Sequence, residues 1–239
     1  MAVIEWEKNE SVAVVTMTNG ANRQNLVFAD RMNQVFDEIL ADPGVHAVIL
    51  TSGDEKNFSQ GVDVAWLGER FNQADTSSIK AFMYGMNKVF SRILLMPVPV
   101  IAAINGHAFG NGAMLACACD FRFMKKDRGF FCFPEVDINI PFLPGMIGFV
   151  RKAMPEYLFN DLKLTGRRVT ADELEKHHVL VKANSDKESM DADALAFART
   201  FHKGRTIFGE HKKRLHKSIV QTMETEDPVF IDALNLFVA

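Results

Sequence analysis

The sequence predicts an α/β fold with crossover connections, followed by a mostly helical C-terminal region. Three observations predict it. Short apolar runs typical of buried strands alternate with longer segments whose apolar residues recur at helical spacing. Glycine-rich turns follow two of the strand-like segments. In the C-terminal third, a capping-box pattern from Thr170 to Glu173 marks the start of a helix.

The first half of the chain alternates strand, helix, strand, helix and strand. Residues 12–17 are predicted as a strand, and the apolar positions after Asn25 predict an amphipathic helix. A short buried strand follows at residues 47–51. Apolar residues at helical spacing predict a second helix at residues 79–94, and residues 99–104 then form another buried strand.

The second half changes from mixed to helical character. A helix is predicted at about residues 110–119, and strand-like segments follow at residues 121–124 and 130–133. Thr170 is predicted to cap a helix, with Glu173 reaching back to the cap. Asp191 is predicted to start another helix, which Gly204 ends.

The 239 residues fit one large domain or a domain with a small appendage. We divide the chain into an α/β core at residues 1–190 and a helical region at residues 191–239. The formal net charge of −3 argues against nucleic-acid binding, which needs a clustered basic excess. No uncharged apolar run reaches the ~18 residues of a membrane helix.

The cysteines and the first residues indicate a compartment. Three cysteines in a chain of this length do not suggest a disulfide framework. The first residues lack the basic start and the long apolar stretch of a signal peptide. A reducing cytoplasm is therefore the simplest predicted location.

The residues that could carry chemistry are two glycine turns and one glutamate. One turn spans residues 58–63, and the other follows the strand at residues 99–104 and opens a helix. The first N–H groups of a helix lack internal partners and carry the positive end of its dipole. Two such backbone donors make an oxyanion hole, and Glu135 is a single acid that could move one proton.

Five segments occur in a fixed order and carry a family resemblance. They are Phe58-Ser59-Gln60-Gly61-Val62-Asp63, Ile101-Ala102-Ala103-Ile104-Asn105-Gly106-His107-Ala108, Cys119-Asp120, Pro134-Glu135-Val136 and Leu164-Thr165-Gly166. In this order they are similar to F-S-A-G-x-D, I-A-A-[VI]-N-G-x-A, C-D, P-E-[VI] and L-T-G of the crotonase family, also called the enoyl-CoA hydratase/isomerase superfamily. The resemblance extends to about residue 180 and implies a crotonase-like spiral of ββα units with a helical C-terminal region.

The resemblance implies a role for each matching residue. The amides of Val62 and Asn111 would form the oxyanion hole for a thioester carbonyl, and Glu135 would act as acid and base near C2 of the acyl chain. Substrate contacts are implied at Ser59, Gln60, Gly61, Asp63 and Gly110. No metal or redox cofactor is implied, because coenzyme A arrives as part of the acyl-CoA substrate. The resemblance also implies a homotrimer or a dimer of trimers.

Three positions depart from patterns found within the family. Asn111 replaces a glycine, which is tolerable because the N–H group is what matters and asparagine accepts left-handed backbone angles. Met114 stands where enoyl-CoA hydratases carry a second glutamate, and a thioether cannot activate water. Leu143 stands where dienoyl-CoA isomerases carry an aspartate. The single glutamate is similar to that of monofunctional Δ3,Δ2-enoyl-CoA isomerases, so we predict isomerisation of 3-enoyl-CoA to 2-enoyl-CoA.

Alternative interpretations remain open at this point. The chain could catalyse another crotonase-type reaction as a hydratase or thioester hydrolase, or it could be a catalytically silent acyl-CoA-binding paralogue. Glu135 itself could be a surface carboxylate after a strand. Apolar neighbours favour a dry pocket instead, in which the pKa of Glu135 should rise towards neutrality. His107 invites a catalytic assignment, but a packing role is the favoured interpretation.

Overall fold

A six-stranded sheet forms the centre of the computed structural model, which describes residues 3–237. Residues 1–2 and 238–239, the outer ends of the two predicted regions, lie outside the described residues. The strands are β1 (Ile4–Asn9), β2 (Val12–Met17), β3 (Arg23–Gln24), β4 (Ala47–Ser52), β5 (Asn57–Ser59), β6 (Gly61–Val62), β7 (Val100–Ile104), β8 (His107–Phe109), β9 (Phe121–Lys125), β10 (Phe131–Cys132) and β11 (Lys182–Asn184).

The helices lie between and after these strands along the chain. They are α1 (Leu26–Ala41), α2 (Val64–Asn72), α3 (Thr76–Leu95), α4 (Asn111–Ala118), α5 (Pro144–Arg151), α6 (Glu156–Thr165), α7 (Ala171–Lys176), α8 (Lys187–Arg199), α9 (Arg205–Leu215), α10 (Lys217–Thr225) and α11 (Asp227–Asp232), with a 3-10 helix at Pro134–Asp137. The predicted helix after Asn25 is confirmed as α1, whose first turn is capped by the Asn25 side chain accepting from Phe28 N.

The main sheet has the strand order β1-β2-β4-β7-β9-β11. β1 and β2 form an antiparallel pair, and the remaining neighbours are parallel, as crossover connections require. Every residue of β4 and β7 is buried. Strands covered on both faces read as continuous apolar runs, which is why these two were predictable from sequence.

Two smaller sheets carry the glycine turns. β10, β8 and β5 form a parallel three-stranded sheet, and β3 pairs in parallel with β6. The turn at residues 58–63 leads through β5 and β6 into α2, and the second turn leads through β8 into α4. Pairing of β5 with β8 places the two turns side by side.

Two details of the predicted helix ends are wrong. The helix predicted from Asp191 to Gly204 spans Lys187–Arg199. It begins earlier than predicted because Asp186 accepts from Ser189 N at 2.8 Å and forms a capping box with Ser189. The predicted reach of Glu173 back to its cap is replaced by an ion pair, in which Arg167 donates to Glu173 at 2.6 Å.

The predicted division at residue 190 falls inside α8. Met190, Ala194 and Ala198 of this helix are buried in one apolar cluster with Ile101 and Phe123 of the main sheet. The segment after residue 190 therefore begins as a helix that covers one face of the sheet. Among residues 3–237, no helix is long and apolar enough to cross a membrane.

Candidate active site

An apolar cavity of about 120 Å³ lies where the two glycine turns meet the 3-10 helix. Its described lining residues are Gln60, Val62, Val64, Leu67, Phe82, Met83, Met86, Gly110, Asn111, Met114, Pro134, Glu135, Ile138, Ile140, Pro141, Leu143, Met146, Leu236 and Phe237. Glu135 is the only ionisable side chain in this set. The cavity thus combines an apolar wall with one carboxylate and the two predicted amide donors.

The carboxylate of Glu135 is held inside the cavity by its backbone and by Gly110. Pro134 begins the 3-10 helix, and the Glu135 side chain is only 7% exposed. A β-carbon at position 110 would lie 2.9 Å from Glu135 Oε1, so the missing side chain of Gly110 leaves the space that this oxygen fills. Oε2 is buried without a hydrogen-bond partner among the described residues. An unpaired buried carboxylate oxygen suits a group that meets its partner on the substrate.

Burial raises the pKa of Glu135 to about 7. The main cause is the loss of hydration, which disfavours the charged form. A hydrogen bond from its own backbone and the charge of Lys163 act in the opposite direction, but they are weaker. The predicted rise towards neutrality is confirmed, and Glu135 can exchange a proton in either direction near neutral pH.

The turn at residues 58–63 contains the amide of Val62, whose neighbouring amides are hydrogen-bonded within the protein. Gln60 N donates to Ala21 O at 3.0 Å, Gly61 N to Ser59 Oγ at 3.2 Å, and Asp63 N to Gln24 O at 2.8 Å. Alternate peptide groups of a strand point to opposite sides, so the N–H of Val62 points away from β3. Val62 also lines the cavity.

The second turn presents the amide of Asn111. Gly110 N donates to Cys132 O at 2.9 Å, whereas Asn111 is the first residue of α4, where amides lack intrahelical acceptors. Gly110 carries the positive φ of 53°, so Asn111 does not need the left-handed angles considered from sequence. A β-carbon at position 61 would lie 3.0 Å from Asn111 N, which shows how closely the two turns pack.

The structure groups the predicted site residues into two sets. Val62, Asn111, Glu135, Gly110 and Gln60 share the cavity lining. Ser59, Gly61 and Asp63 belong to the turn at residues 58–63 but are not among the described lining residues of the cavity. The Ser59 hydroxyl is fully buried and donates to Asn22 O, while the Asp63 carboxylate caps α2 by accepting from Trp66 N. Direct contact of any of these eight residues with a substrate stays a prediction.

Met114 and Leu143, the two positions that guided the predicted reaction, both line the cavity. Met114 is 2% exposed and Leu143 is 4% exposed. A carboxylate at either position would therefore have faced the same space as Glu135. The chain carries apolar side chains at both of these places.

Other chemically interesting residues have structural surroundings. Phe130 N donates to His107 Nδ1 at 3.2 Å, and the imidazole packs against Phe109, which confirms the predicted packing role. Burial raises the pKa of the Cys132 thiol to about 11. Among residues 3–237, no group of three or more His, Cys, Asp or Glu side chains is arranged to hold a metal ion.

Sequence reasoning missed Gln24. Its side chain is fully buried and receives a hydrogen bond from Asn111 Nδ2 at 2.6 Å. The two residues are separated by 87 positions, so no local pattern could connect them. Leu236 and Phe237, near the end of the described chain, were also missed as lining residues for the same reason.

Comparisons with known proteins identify the family and the fold of this chain. A family model described as enoyl-CoA hydratase/isomerase matches residues 7–232. A relative from Thermus thermophilus is 35% identical over 174 residues, which are 72% of this chain and 66% of that protein, just under two thirds of its length. A Clostridium acetobutylicum protein named short-chain-enoyl-CoA hydratase is 34% identical over 191 residues, or 77% of this chain and 70% of that protein.

A solved structure supports the same assignment. The crystal structure of an enoyl-CoA hydratase/carnithine racemase from Magnetospirillum magneticum matches with a TM-score of 0.79 at 28% identity. The match covers 91% of this chain and 81% of that one. The chain has the crotonase-like α/β fold and the helical C-terminal region predicted from sequence. The chain belongs to the enoyl-CoA hydratase/isomerase family.

Proposed function

We propose that this chain is an isomerase that moves the double bond of a 3-enoyl-CoA to the C2–C3 position. One observation carries the proposal: Glu135 is the only ionisable residue among the described residues of the cavity, and apolar side chains form most of the remainder. A reaction in which one group moves one proton is compatible with a cavity that has a single carboxylate. A reaction that adds water does not, because no second acid is available to activate it.

The proposed reaction has two proton transfers. The Glu135 carboxylate removes a proton from C2, and the electron pair spreads through the C3–C4 double bond and the thioester to form a dienolate. The N–H groups of Val62 and Asn111 donate hydrogen bonds to the thioester oxygen as its negative charge develops. Glu135, now a carboxylic acid, returns the proton at C4. The double bond has moved to C2–C3, and no atom has been gained or lost.

The pKa of Glu135 suits both halves of this cycle. A group with a pKa of about 7 is a base strong enough to be useful and an acid that gives its proton back near neutral pH. An ordinary surface glutamate would be a much weaker base. The apolar cavity therefore supplies the basicity that the reaction requires.

Hydration of a 2-enoyl-CoA is the second candidate function. The Clostridium acetobutylicum relative carries the name of a hydratase at 34% identity, which favours this alternative. Against it stand Met114 and Leu143, which give water no charged partner in the cavity. We rank isomerisation first for this physical reason.

The remaining features of the proposal follow from the acyl-CoA substrate. Coenzyme A would enter as part of the substrate, with its adenine held near the main chain of Gln60, and no separate cofactor would be used. Assembly as a homotrimer or a dimer of trimers and residence in the cytoplasm stay predictions from the family resemblance and from the sequence.

The test compares two substrates with the purified protein. Isomerisation of 3-hexenoyl-CoA produces a conjugated thioester and raises its ultraviolet absorbance, whereas hydration of crotonyl-CoA removes that absorbance. The proposal requires a clear increase with the first substrate. A protein that binds hexenoyl-CoA but converts neither substrate would instead be a silent acyl-CoA-binding paralogue.

We predict that the unmodified protein hydrates crotonyl-CoA at a negligible rate, because Met114 cannot activate water. Met114→Leu is the matched control, since it preserves an apolar side chain of similar volume and should keep isomerisation within a few-fold. Met114→Glu should add weak hydration at a cost of roughly several kcal/mol in stability if the new carboxylate is unpaired. Robust hydration by the unmodified protein would contradict the isomerase assignment.

A further inference from the structure

Gln24 contacts both of the turns that carry the proposed amide donors. Its main chain pairs with the first turn, where Gln24 O accepts from Asp63 N at 2.8 Å. This pairing of β3 with β6 fixes the direction of the peptide groups on either side of Val62. The backbone of Gln24 therefore sets which way the Val62 N–H points.

The side chain of Gln24 reaches the second turn. Asn111 Nδ2 donates to Gln24 Oε1 at 2.6 Å, and Gln24 Nε2 lies 3.5 Å from Asn111 O. The same Nε2 donates to Ser59 Oγ at 3.2 Å. One carboxamide thus connects the residue that opens α4 with the residue that ends β5.

The connection continues into the core of the protein. Ser59 Oγ donates to Asn22 O at 2.7 Å, and Asn22 Nδ2 donates to Ser52 Oγ at 2.7 Å and to Phe58 O at 2.9 Å. Gln24, Ser59 and Asn22 are fully buried. A buried polar network with its groups paired is rigid, because breaking any bond leaves an unsatisfied group away from water.

The side chain of Asn111 needs a hydrogen-bond partner such as Gln24. A glycine at this position would bring no side chain, whereas Asn111 brings a carboxamide into a site where the residue is only 6% exposed. A buried carboxamide needs hydrogen-bond partners, and Gln24 supplies one in a fixed direction. The bond restrains rotation of Asn111 at the first position of α4, where its N–H faces substrate in the proposed reaction.

We infer that Gln24 is a positioning residue that aligns the two amide donors of the oxyanion hole, and that Asn111 and Gln24 work as a matched pair. This inference rests on the proposed function, because it assigns a purpose to the alignment of Val62 and Asn111. Gln24 is not among the described lining residues of the cavity, so its proposed effect on the thioester is indirect. It acts through the backbone of β6 and through the side chain of Asn111.

The test is a double-mutant cycle read by kinetics and by a spectroscopic probe. Gln24→Met keeps the length of the side chain and removes both polar atoms. We expect it to lower kcat for 3-hexenoyl-CoA about tenfold with little change in KM, because a misaligned donor weakens interactions made mainly in the transition state. It should also reduce the red shift in the absorbance of bound 2,4-hexadienoyl-CoA, which reports how strongly the thioester carbonyl is polarised.

The second arm of the cycle removes the side chain that Gln24 holds. In an Asn111→Gly protein no carboxamide needs alignment, so adding Gln24→Met should lower kcat less than twofold further. If Gln24→Met alone does not fold, kcat of Asn111→Gly can still be compared with kcat of the double variant. A tenfold loss in that comparison would contradict the inference. A tenfold loss in both backgrounds would show that the pair is not matched and would overturn the inference.

A matched control separates alignment from general stability. Asn33 is another buried carboxamide, which donates to Ala29 O at 2.9 Å and Gly85 O at 3.1 Å and does not line the cavity. Asn33→Leu should lower the melting temperature and leave kcat and the red shift unchanged. If the unmodified protein neither isomerises substrate nor shifts the probe, the proposed function fails. If it does both and Gln24→Met is unaffected, only the positioning role of Gln24 fails.

Discussion

Replacing Glu135 with glutamine is expected to lower turnover of 3-hexenoyl-CoA by at least ~10²–10⁴-fold, the range typical of acid/base catalysis. Glutamine preserves the shape of the side chain but can neither remove nor return a proton. Acyl-CoA affinity should change little, because the apolar wall and both backbone amides remain. Steady-state kinetics and equilibrium binding of an acyl-CoA measure the two quantities separately.

The pH dependence of the unmodified protein gives the same hypothesis a second test. Glu135 must be ionised to remove the C2 proton, so kcat/KM should rise with pH and level off above its pKa of about 7. An ordinary glutamate would give the same rise two or more pH units lower. A rate that stays flat between pH 5 and pH 8 would exclude Glu135 as the base.

Stability should respond in the opposite direction to activity. The pKa of Glu135 is raised from 4.5 in the unfolded chain to about 7 in the folded protein, so the folded state binds more protons between these values. The contribution of this group to stability is therefore complete below pH 4.5 and is lost as pH rises through 7. Glutamine does not titrate, so Glu135→Gln does not lose this stability. As the pH rises from 5 to 8, its free energy of unfolding should increase relative to that of the unmodified protein by on the order of 2–3 kcal/mol.

We therefore expect Glu135→Gln to be inactive, and we expect its stability relative to the unmodified protein to be greater at pH 8 than at pH 5. A variant that merely misfolds would lose both properties together. Thermal melts at pH 5 and pH 8 distinguish the two cases. Full activity in the purified variant would contradict the proposed mechanism.

The parts of the fold that were predictable have strong local patterns. The strands at residues 47–51 and 99–104 are continuous apolar runs, and the helix after Asn25 has both a cap and an apolar stripe. β3 and β6 were not predictable, because each is only two residues long and exists only through its pairing with the other. The start of α8 was placed too late because the cap at Asp186 pairs with a serine and not with the usual glutamate or glutamine.

The candidate site shows the same limit. Glu135, Val62 and Asn111 stand in short segments with recognisable neighbours, and the structure places all three on one cavity. Gln24 and Phe237 reach that region only because the chain folds back from distant positions. Glycine turns and a proline before an acid are local signals, whereas a buried contact across 87 residues leaves no trace in a single sequence.

Asn111→Pro is expected to lower kcat by ~10²–10³-fold, the usual cost of removing one oxyanion-hole donor. Proline has no N–H group, so the variant deletes the proposed donor itself. The substitution is unusually clean for a proline, because the first position of a helix favours this residue. A residue before proline normally adopts an extended conformation. Gly110, with φ 53° and ψ −124°, adopts the mirror image of that conformation. Glycine has no side chain, so it can hold this conformation before proline.

The matched control for this change is Asn111→Gly. It also loses the hydrogen bond to Gln24 but keeps the N–H group, so kcat should fall only a few-fold. Circular dichroism and thermal melts establish that both proteins fold, and kcat for 3-hexenoyl-CoA measures the difference between them. If folded Asn111→Pro turns over substrate as fast as Asn111→Gly, the amide at position 111 does not donate to the thioester. The oxyanion hole would then have to be built from other groups than the two turns that meet beside Glu135.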